Sequence, residues 1–201
     1  MDCYIVGSGN SLDMDFLDSI QDKFSFSCNA IGSIYDRTNW RPTIYTLTSI
    51  NFENSDRRLD FIKSMQEVEI IFANQDYAID YNLDAHPLVV KEFPSIRSWK
   101  PDWFSPAPLK WVSKYGTSLL PCVQLAFWMG FKHIIFVGCD GYNRHNKTQH
   151  VEGYPTWADK FNVIKPSKSL RGAHELISYH AKQRGIKISF EGDSQFAELY
   201  D

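Results

Sequence analysis

The sequence predicts an α/β fold, with a Rossmann-like, mainly parallel sheet that carries helices on both faces. Three observations predict it. Strand-like apolar runs alternate with helical patterns along the chain. The run His133–Val137 is almost wholly apolar, as in a parallel strand covered on both faces. The first apolar run leads into a turn of small residues and a helix start. At 201 residues, the chain is long enough for one sizeable domain, so a single domain over 1–201 is expected.

The amino end predicts a strand over Cys3–Gly7 and a helix that Ser11 caps and that runs to Ile20. Between them lies the turn Gly7-Ser8-Gly9-Asn10. The backbone N–H groups of such a turn, together with a helix N-terminus, form a favourable site for phosphate. We therefore predict that these four residues contact the phosphate of a nucleotide or of another phosphorylated donor.

The middle of the chain continues the alternation less clearly. The predicted elements are strands at Phe24–Cys28, Thr43–Thr48, Val68–Ala73 and Leu88–Phe93, and a helix at Leu59–Met65. Residues 76–111 have the weakest pattern, and a small helical cap over the sheet is one interpretation of them.

The second half predicts a clear helix and strand pair. Thr117 and Ser118 open a helix that ends at Gly130, and the strand His133–Val137 follows. The polar stretch 143–168 is long for a passive connection and predicts a lid or binding loop. The chain closes with a predicted helix at Ser169–Arg184 and a strand at Ile186–Phe190.

Polar residues follow several of these strands, at the sheet edge where α/β proteins bind ligands. Asn29 ends the second strand, and its amide suits a base edge or a ribose, although a simple turn residue is an equal alternative. Asp140 and Tyr142 follow the strand His133–Val137. Thr117 and Ser118 either bind phosphate or only cap their helix.

Two histidines of the predicted lid, His145 and His150, are candidates for a general base near neutral pH. A dinucleotide site is disfavoured, because Leu12 replaces the third glycine of the fingerprint and no acid ends the second strand. No Walker loop occurs. Asp13 and Asp15 form a DxD pattern, but at a helix start they are better read as a cap than as metal ligands.

Composition limits the partners. The net charge of −3 disfavours nucleic acid. The 4 cysteines form no CxxC pair and sit among apolar residues, which indicates free thiols in a reducing cytoplasm. No apolar run approaches the roughly 20 residues that span a bilayer.

Four segments occur in the order seen in one enzyme family. They are Ile5–Leu12, Ser27–Asn29, the helix opened by Thr117 and Ser118, and Lys132–Tyr142. This set resembles the bacterial sialyltransferases of glycosyltransferase family 42 and related surface-polysaccharide and phage proteins. The resemblance covers about two thirds of the chain.

The resemblance implies a Rossmann-like domain of the glycosyltransferase A type with a lid, and inverting transfer of a sugar from a nucleotide-activated donor. A CMP-sugar is favoured. Tyr142 would assist departure of the phosphate. No cofactor or metal would be required, and Gly7, Ser8, Gly9, Asn10, Asn29, Thr117 and Ser118 would hold the donor.

The residues predicted to be catalytic are His150, Tyr142 and Asp140, although His150 aligns with the histidine that precedes the family's general base by a few residues. The sequence departs from the family in places: Ser8 and Leu47 replace asparagines, Tyr115 replaces an arginine, and Tyr154 falls near the position of the family's catalytic histidine. The acceptor would be a glycan, of lipopolysaccharide type, or another hydroxyl compound, and a homo-oligomer is left open.

Two other functions stay open at this stage. One is a Mg²⁺-dependent pyrophosphokinase-like enzyme, in which Asp140 would help to hold the metal. The other is a non-catalytic module that binds a nucleotide or a glycan.

Overall fold

A computed structural model of the protein describes residues 1–48, 55–94, 98–141, 150–155 and 168–201. Its strands, in chain order, are β1 (Asp2–Val6), β2 (Ser25–Cys28), β3 (Ile44–Leu47), β4 (Ile70–Asn74), β5 (His86–Leu88), β6 (Val90–Glu92), β7 (Val112–Lys114), β8 (His133–Val137) and β9 (Lys187–Glu191). Its helices are α1 (Met14–Ser19), α2 (Ser55–Met65), α3 (Gln75–Asp80), α4 (Leu120–Trp128) and α5 (Lys168–Arg184).

Seven strands form one sheet in the order β5-β4-β3-β2-β1-β8-β9, and every pairing in it is parallel. The order runs outward from β1 in one direction up to β5, and in the other direction through β8 to β9. The strand order therefore reverses between β1 and β8. In open parallel sheets ligands bind at such a switch point, beyond the carboxyl ends of the strands.

Helices cover both faces of the sheet, because alternate residues of the central strands point to opposite sides. Cys3 and Ile5 of β1 pack into the core shared with α4 and α5. Val6, the next residue along, packs with Leu17 of α1 into a second core on the other face. The predicted α/β architecture is thus confirmed.

The second face is closed by a short 3-10 turn, Ile31–Ile34, and by α2. Gly32 permits the contact, because a Cβ there would lie 2.5 Å from the backbone of Ser64. The Gly32 N–H also donates to Ser64 Oγ at 2.8 Å. This turn begins three residues after β2 ends, so its packing against α2 restrains the backbone around Asn29.

The structure corrects three sequence-based boundaries. Asp13, not Ser11, caps α1, since its carboxylate accepts from the N–H of Asp15 at 2.8 Å. The single strand predicted at Leu88–Phe93 is two short strands, of which β5 edges the large sheet and β6 pairs with β7 in a separate parallel pair. The described residues of 76–111 contain β5, β6, most of α3 and a 3-10 turn at Pro101–Trp103, so this part of the chain is mixed rather than wholly helical.

The cysteines are free, and Cys3, Cys28 and Cys122 are buried as expected, while Cys139 is partly buried. Burial raises the pKa of the Cys3 thiol to about 12, so this side chain stays protonated and behaves as an apolar core residue. Within the described ranges, none of the helices has both the length and the apolar character needed to span a bilayer.

A buried histidine makes the stability of this fold depend on pH. Burial lowers the pKa of His174 from 6.5 to about 3, and the ring lies 4.0 Å from that of Phe196. Below about pH 6.5, His174 binds a proton in the unfolded state but stays neutral in the folded state. The free energy of unfolding therefore falls as the pH falls. At pH 5.5 this loss is ~1.4 kcal/mol.

Urea unfolding at pH 7.5 and at pH 5.5 measures this loss, and His174→Phe is expected to remove that part of the pH dependence. His86→Phe, on an exposed histidine of β5, is the matched control and should leave it intact. Equal pH dependence in the wild type and His174→Phe would contradict the assignment.

Candidate functional site

The loops that leave β1 and β8 lie directly against each other at the switch point of the sheet. The N–H of Gly7 donates to the carbonyl of Val137, and the N–H of Gly9 donates to the carbonyl of Gly138, each at 2.8 Å. These two donors are therefore occupied by the neighbouring loop. This corrects the expectation that the turn presents a row of bare N–H groups to phosphate.

The glycines are needed because the two loops approach so closely. A Cβ on Gly7 would lie 2.6 Å from the carbonyl oxygen of Gly138. A Cβ on Gly9 would lie 2.7 Å from the same oxygen and 2.8 Å from the carboxyl carbon of Asp140. Real Cβ contacts of this length do not occur, so any side chain at either position forces the loops apart.

Asp140 holds the first loop through both of its carboxylate oxygens. Its Oδ2 accepts from the N–H of Ser11 at 2.8 Å, and its Oδ1 accepts from the Ser11 hydroxyl. Ser11 therefore links the two loops instead of capping α1. The geometry indicates a positioning role for Asp140.

His150 reaches the same loop from far along the chain, since it and Ser8 are 142 positions apart. The imidazole Nδ1 and Ser8 Oγ are 3.0 Å apart, and the N–H of Val151 donates to the carbonyl of Ser8 at 2.9 Å. An isolated antiparallel bridge also joins Gly9 and His150. The structure thus brings together His150 and the loop predicted to hold phosphate.

The Ser8 contact is compatible with a His150 that acts as a base, because the serine hydroxyl can accept a hydrogen bond from Nδ1. A base that acts through Nε2 needs its proton on Nδ1, where it donates to Ser8 Oγ. The ring is further held by Tyr154, whose ring is stacked on it at a centroid distance of 4.6 Å. The imidazole is therefore held at its Nδ1 by Ser8 and on one face of the ring by Tyr154.

Tyr154 connects this histidine to the end of β2. Its hydroxyl accepts from the N–H of Ala30 at 3.2 Å. Burial raises the pKa of the Tyr154 phenol, against a smaller lowering by a hydrogen bond with Ser8, so the phenol is neutral at physiological pH. The sequence analysis noted Tyr154 only through the resemblance, and its aromatic pairing with His150 was missed because stacking across a loop leaves no periodic signal.

Asn29 lies beside this cluster, in the loop that leaves β2. Its φ of 59° is in the left-handed region, which asparagine tolerates better than most residues. Its carbonyl accepts from the Tyr45 hydroxyl at 2.6 Å, so the backbone here is fixed from the neighbouring strand β3. Asn29 therefore adjoins the Ser8–His150 contact through Ala30 and Tyr154.

Thr117 and Ser118 lie before α4 rather than in it, since the helix begins at Leu120. The N–H of Thr117 donates to the carbonyl of Tyr115 at 2.8 Å across Gly116, whose φ is +70°. This is a three-residue γ-turn of the strained kind, which glycine accepts most easily. The turn directs the two residues into a cavity of about 290 Å³, whose described lining includes no residue of the first loop.

Other predicted site residues stand as follows. Asn10 is exposed in the turn after Gly9. The described residues do not include Tyr142 or His145. Of the predicted lid 143–168, they include only 150–155 and 168. In the described segments, no group of three or more His, Cys, Asp or Glu side chains is placed to bind a metal ion.

The whole fold is similar to known glycosyltransferase structures. The α-2,3-sialyltransferase Cst-I from Campylobacter jejuni superposes with a TM-score of 0.61 at 16% identity, over 99% of this chain and 78% of that one. The C. jejuni sialyltransferase CstII, solved with cytidine-5'-monophosphate, gives 0.59 at 18% identity over 98% and 83%. This chain has the fold of the Campylobacter sialyltransferases.

The sialyltransferase-like fold extends to a larger protein, the MAf glycosyltransferase from Magnetospirillum magneticum. It gives a TM-score of 0.57 at 14% identity, over 96% of this chain but 32% of that one. Searches against family models and against curated proteins give no match. The resemblance predicted from four short segments is therefore confirmed at the level of the fold.

Proposed function

We propose that the protein is an inverting glycosyltransferase that moves a sugar from a CMP-activated donor to an acceptor hydroxyl. The single observation that carries this proposal is the His150–Ser8 contact at the switch point of the sheet. It places a fixed imidazole beside the loop where this class of fold binds ligands. The sialyltransferase-like architecture supports the same reaction.

In the proposed reaction, His150 Nε2 takes the proton of the acceptor hydroxyl. The acceptor oxygen then forms a bond to the anomeric carbon, and the bond from that carbon to the phosphate oxygen of the donor breaks. CMP leaves with the electron pair. One displacement of this kind inverts the anomeric configuration, and a positioned general base contributes ~10²–10⁴-fold.

The nucleotide side of the site is proposed from the resemblance and from the loops. Ser8 and Asn10 supply the side chains nearest the phosphate, because the N–H groups of Gly7 and Gly9 are engaged with β8's loop. Asn29 contacts the nucleoside. Tyr142 donates a hydrogen bond to the phosphate as negative charge develops on it.

The setting of the reaction is also a proposal. The free thiols suit a reducing compartment, so we assign the reaction to the cytoplasm. The acceptor is a glycan of lipopolysaccharide type. No cofactor or metal is assigned to the reaction.

A thermal-shift series over nucleotides tests the donor. CMP at 100 times its Kd is expected to stabilise the fold by ~2.7 kcal/mol, whereas GMP and AMP at the same concentration give no shift. Slow release of CMP from CMP-sialic acid, without added Mg²⁺, would identify the activated sugar. Indifference to CMP, or Mg²⁺-dependent consumption of ATP, would contradict the proposal.

A further inference from the structure

The β8 loop, residues 138–141, has a second neighbour besides the first loop. This neighbour is the segment 192–201, which follows β9 and to which the proposed reaction assigns no part. Within it, the hydroxyl of Ser194 donates to the carbonyl of Cys139 at 3.1 Å. The same hydroxyl accepts from the N–H of Phe196 at 3.3 Å, so it links the segment's own turn to the β8 loop.

Gln195 extends this contact along the β8 loop. Its N–H donates to the carbonyl of Asp140 at 3.3 Å. Its side-chain amide packs against Gly141, where an added Cβ would overlap Gln195 Nε2. Asp140 is the residue whose carboxylate binds Ser11, and Tyr142 follows Gly141 directly in the sequence. The segment therefore contacts the backbone that carries both of these predicted site residues.

The carbonyls of three successive residues in the β8 loop are thus engaged by neighbouring elements. The Gly138 carbonyl accepts from the N–H of Gly9 in the first loop at 2.8 Å, and the next two carbonyls accept from segment 192–201. Because each peptide group is planar, a hydrogen bond to each of three in a row leaves the loop little freedom to rotate. The segment therefore limits the movement of the β8 loop relative to the first loop.

The segment can restrain the loop because it is itself anchored on α5. The Phe196 ring is buried and stacks on His174 at a centroid distance of 4.0 Å. The Tyr200 hydroxyl lies 2.8 Å from His174 Nδ1, and the Ser178 hydroxyl donates to the carbonyl of Leu199 at 2.5 Å. Since α5 packs into the core beneath β8, these contacts join the β8 loop to a fixed part of the fold.

We propose that segment 192–201 positions the β8 loop against the first loop, that Ser194 is its positioning residue, and that nucleotide affinity depends on this positioning. The inference rests on the proposed function, because it assigns a further residue to the site that would bind CMP. Ser194 acts through the Cys139 carbonyl. The effect reaches the first loop through Asp140, whose carboxylate accepts from the N–H of Ser11.

Ser194→Ala tests the inference, because it removes both hydrogen bonds of the hydroxyl. The contacts between the β8 loop and the first loop should then open more often. Amide hydrogen exchange, followed by NMR, should be about 3- to 10-fold faster at the N–H groups of Gly9 and Ser11, which bond to the β8 loop. The affinity for CMP, measured by titration calorimetry, should fall by about the same factor. Ser194→Thr keeps a hydroxyl at this position and should restore both values.

Two comparisons separate positioning from a general loss of stability. Ser19→Ala removes another hydroxyl-to-carbonyl bond, the one from Ser19 Oγ to the Phe16 carbonyl at 2.6 Å within α1, and should leave exchange at Gly9 and Ser11 and the CMP affinity unchanged. Amides of β3, which exchange when the sheet itself opens, should accelerate less in Ser194→Ala than those of the first loop. Equal acceleration in β3, or an equal effect of Ser19→Ala, overturns the inference.

The same measurements distinguish this inference from the proposed function. Wild-type exchange rates at Gly9 and Ser11 in Ser194→Ala overturn the inference, whether or not CMP binds. Faster exchange with unchanged CMP affinity also overturns it, because the nucleotide would then not depend on the position of the loop. If the wild type binds no CMP, faster exchange confined to the first loop supports the positioning role and contradicts the proposed donor alone.

Discussion

His150→Ala is expected to lower the rate of sugar transfer by ~10²–10⁴-fold, with little change in the affinity for CMP. The imidazole Nδ1 lies 3.0 Å from Ser8 Oγ of the first loop, although the two residues are 142 positions apart in the chain. Its removal takes away the proton acceptor but leaves the contact between the β1 and β8 loops in place. Steady-state transfer and CMP binding, measured on the same preparation, separate the two effects.

Two comparisons sharpen this result. Ser8→Ala, which keeps the imidazole but removes the hydrogen-bond partner of its Nδ1, should lower the rate less than His150→Ala does. His86→Ala, at an exposed histidine of β5, should leave the rate unchanged. Full transfer activity in His150→Ala would contradict the assignment of the base.

Gly9→Ala is expected to abolish CMP binding and to destabilise the fold by ~1–3 kcal/mol. The new Cβ would lie 2.7 Å from the carbonyl oxygen of Gly138 and 2.8 Å from the Asp140 carboxyl carbon. Because both neighbours belong to the loop after β8, the two loops must separate. Urea unfolding measures the loss of stability, and titration calorimetry measures the loss of nucleotide affinity.

Gly130→Ala is the matched control for this effect. Gly130 ends α4 with a φ of +85°, and an added Cβ there meets nothing within 4 Å. Alanine at this position is strained by ~1 kcal/mol, so the control loses stability while its CMP affinity stays normal. Normal CMP affinity in Gly9→Ala would show that the approach of the loops is not needed for nucleotide binding.

The sequence predicted the fold because the pattern of central strands is strong. The strand at His133–Val137 was placed with the bounds that the structure has, since a strand buried on both faces is apolar throughout. The error at Leu88–Phe93 has a physical cause. Only Val89 separates β5 from β6. The two strands belong to different sheets, and no glycine or other turn residue between them indicates the break in the sequence.

The site was predictable where it depends on strand ends and less so where it depends on contacts between loops. The positions of Asn29 and Asp140 at one edge of the sheet were predictable, because parallel strands bring their carboxyl ends to one edge. The occupied N–H groups of Gly7 and Gly9 were not predicted, because their acceptors are backbone carbonyls that carry no side-chain signature. The contacts of Ser194 and Gln195 with the β8 loop were missed for the same reason.

The position of β1 in the sheet has a consequence for how the chain is synthesised. After β2 has been synthesised, β1 can pair with it, but the other edge of β1 faces no partner until β8 has emerged from the ribosome. Long-range parallel pairing of this kind is slow and leaves apolar edges exposed during folding. The nascent chain therefore carries an open strand edge from the synthesis of β2 until that of β8, and a chaperone that shields such edges should raise the yield of native protein.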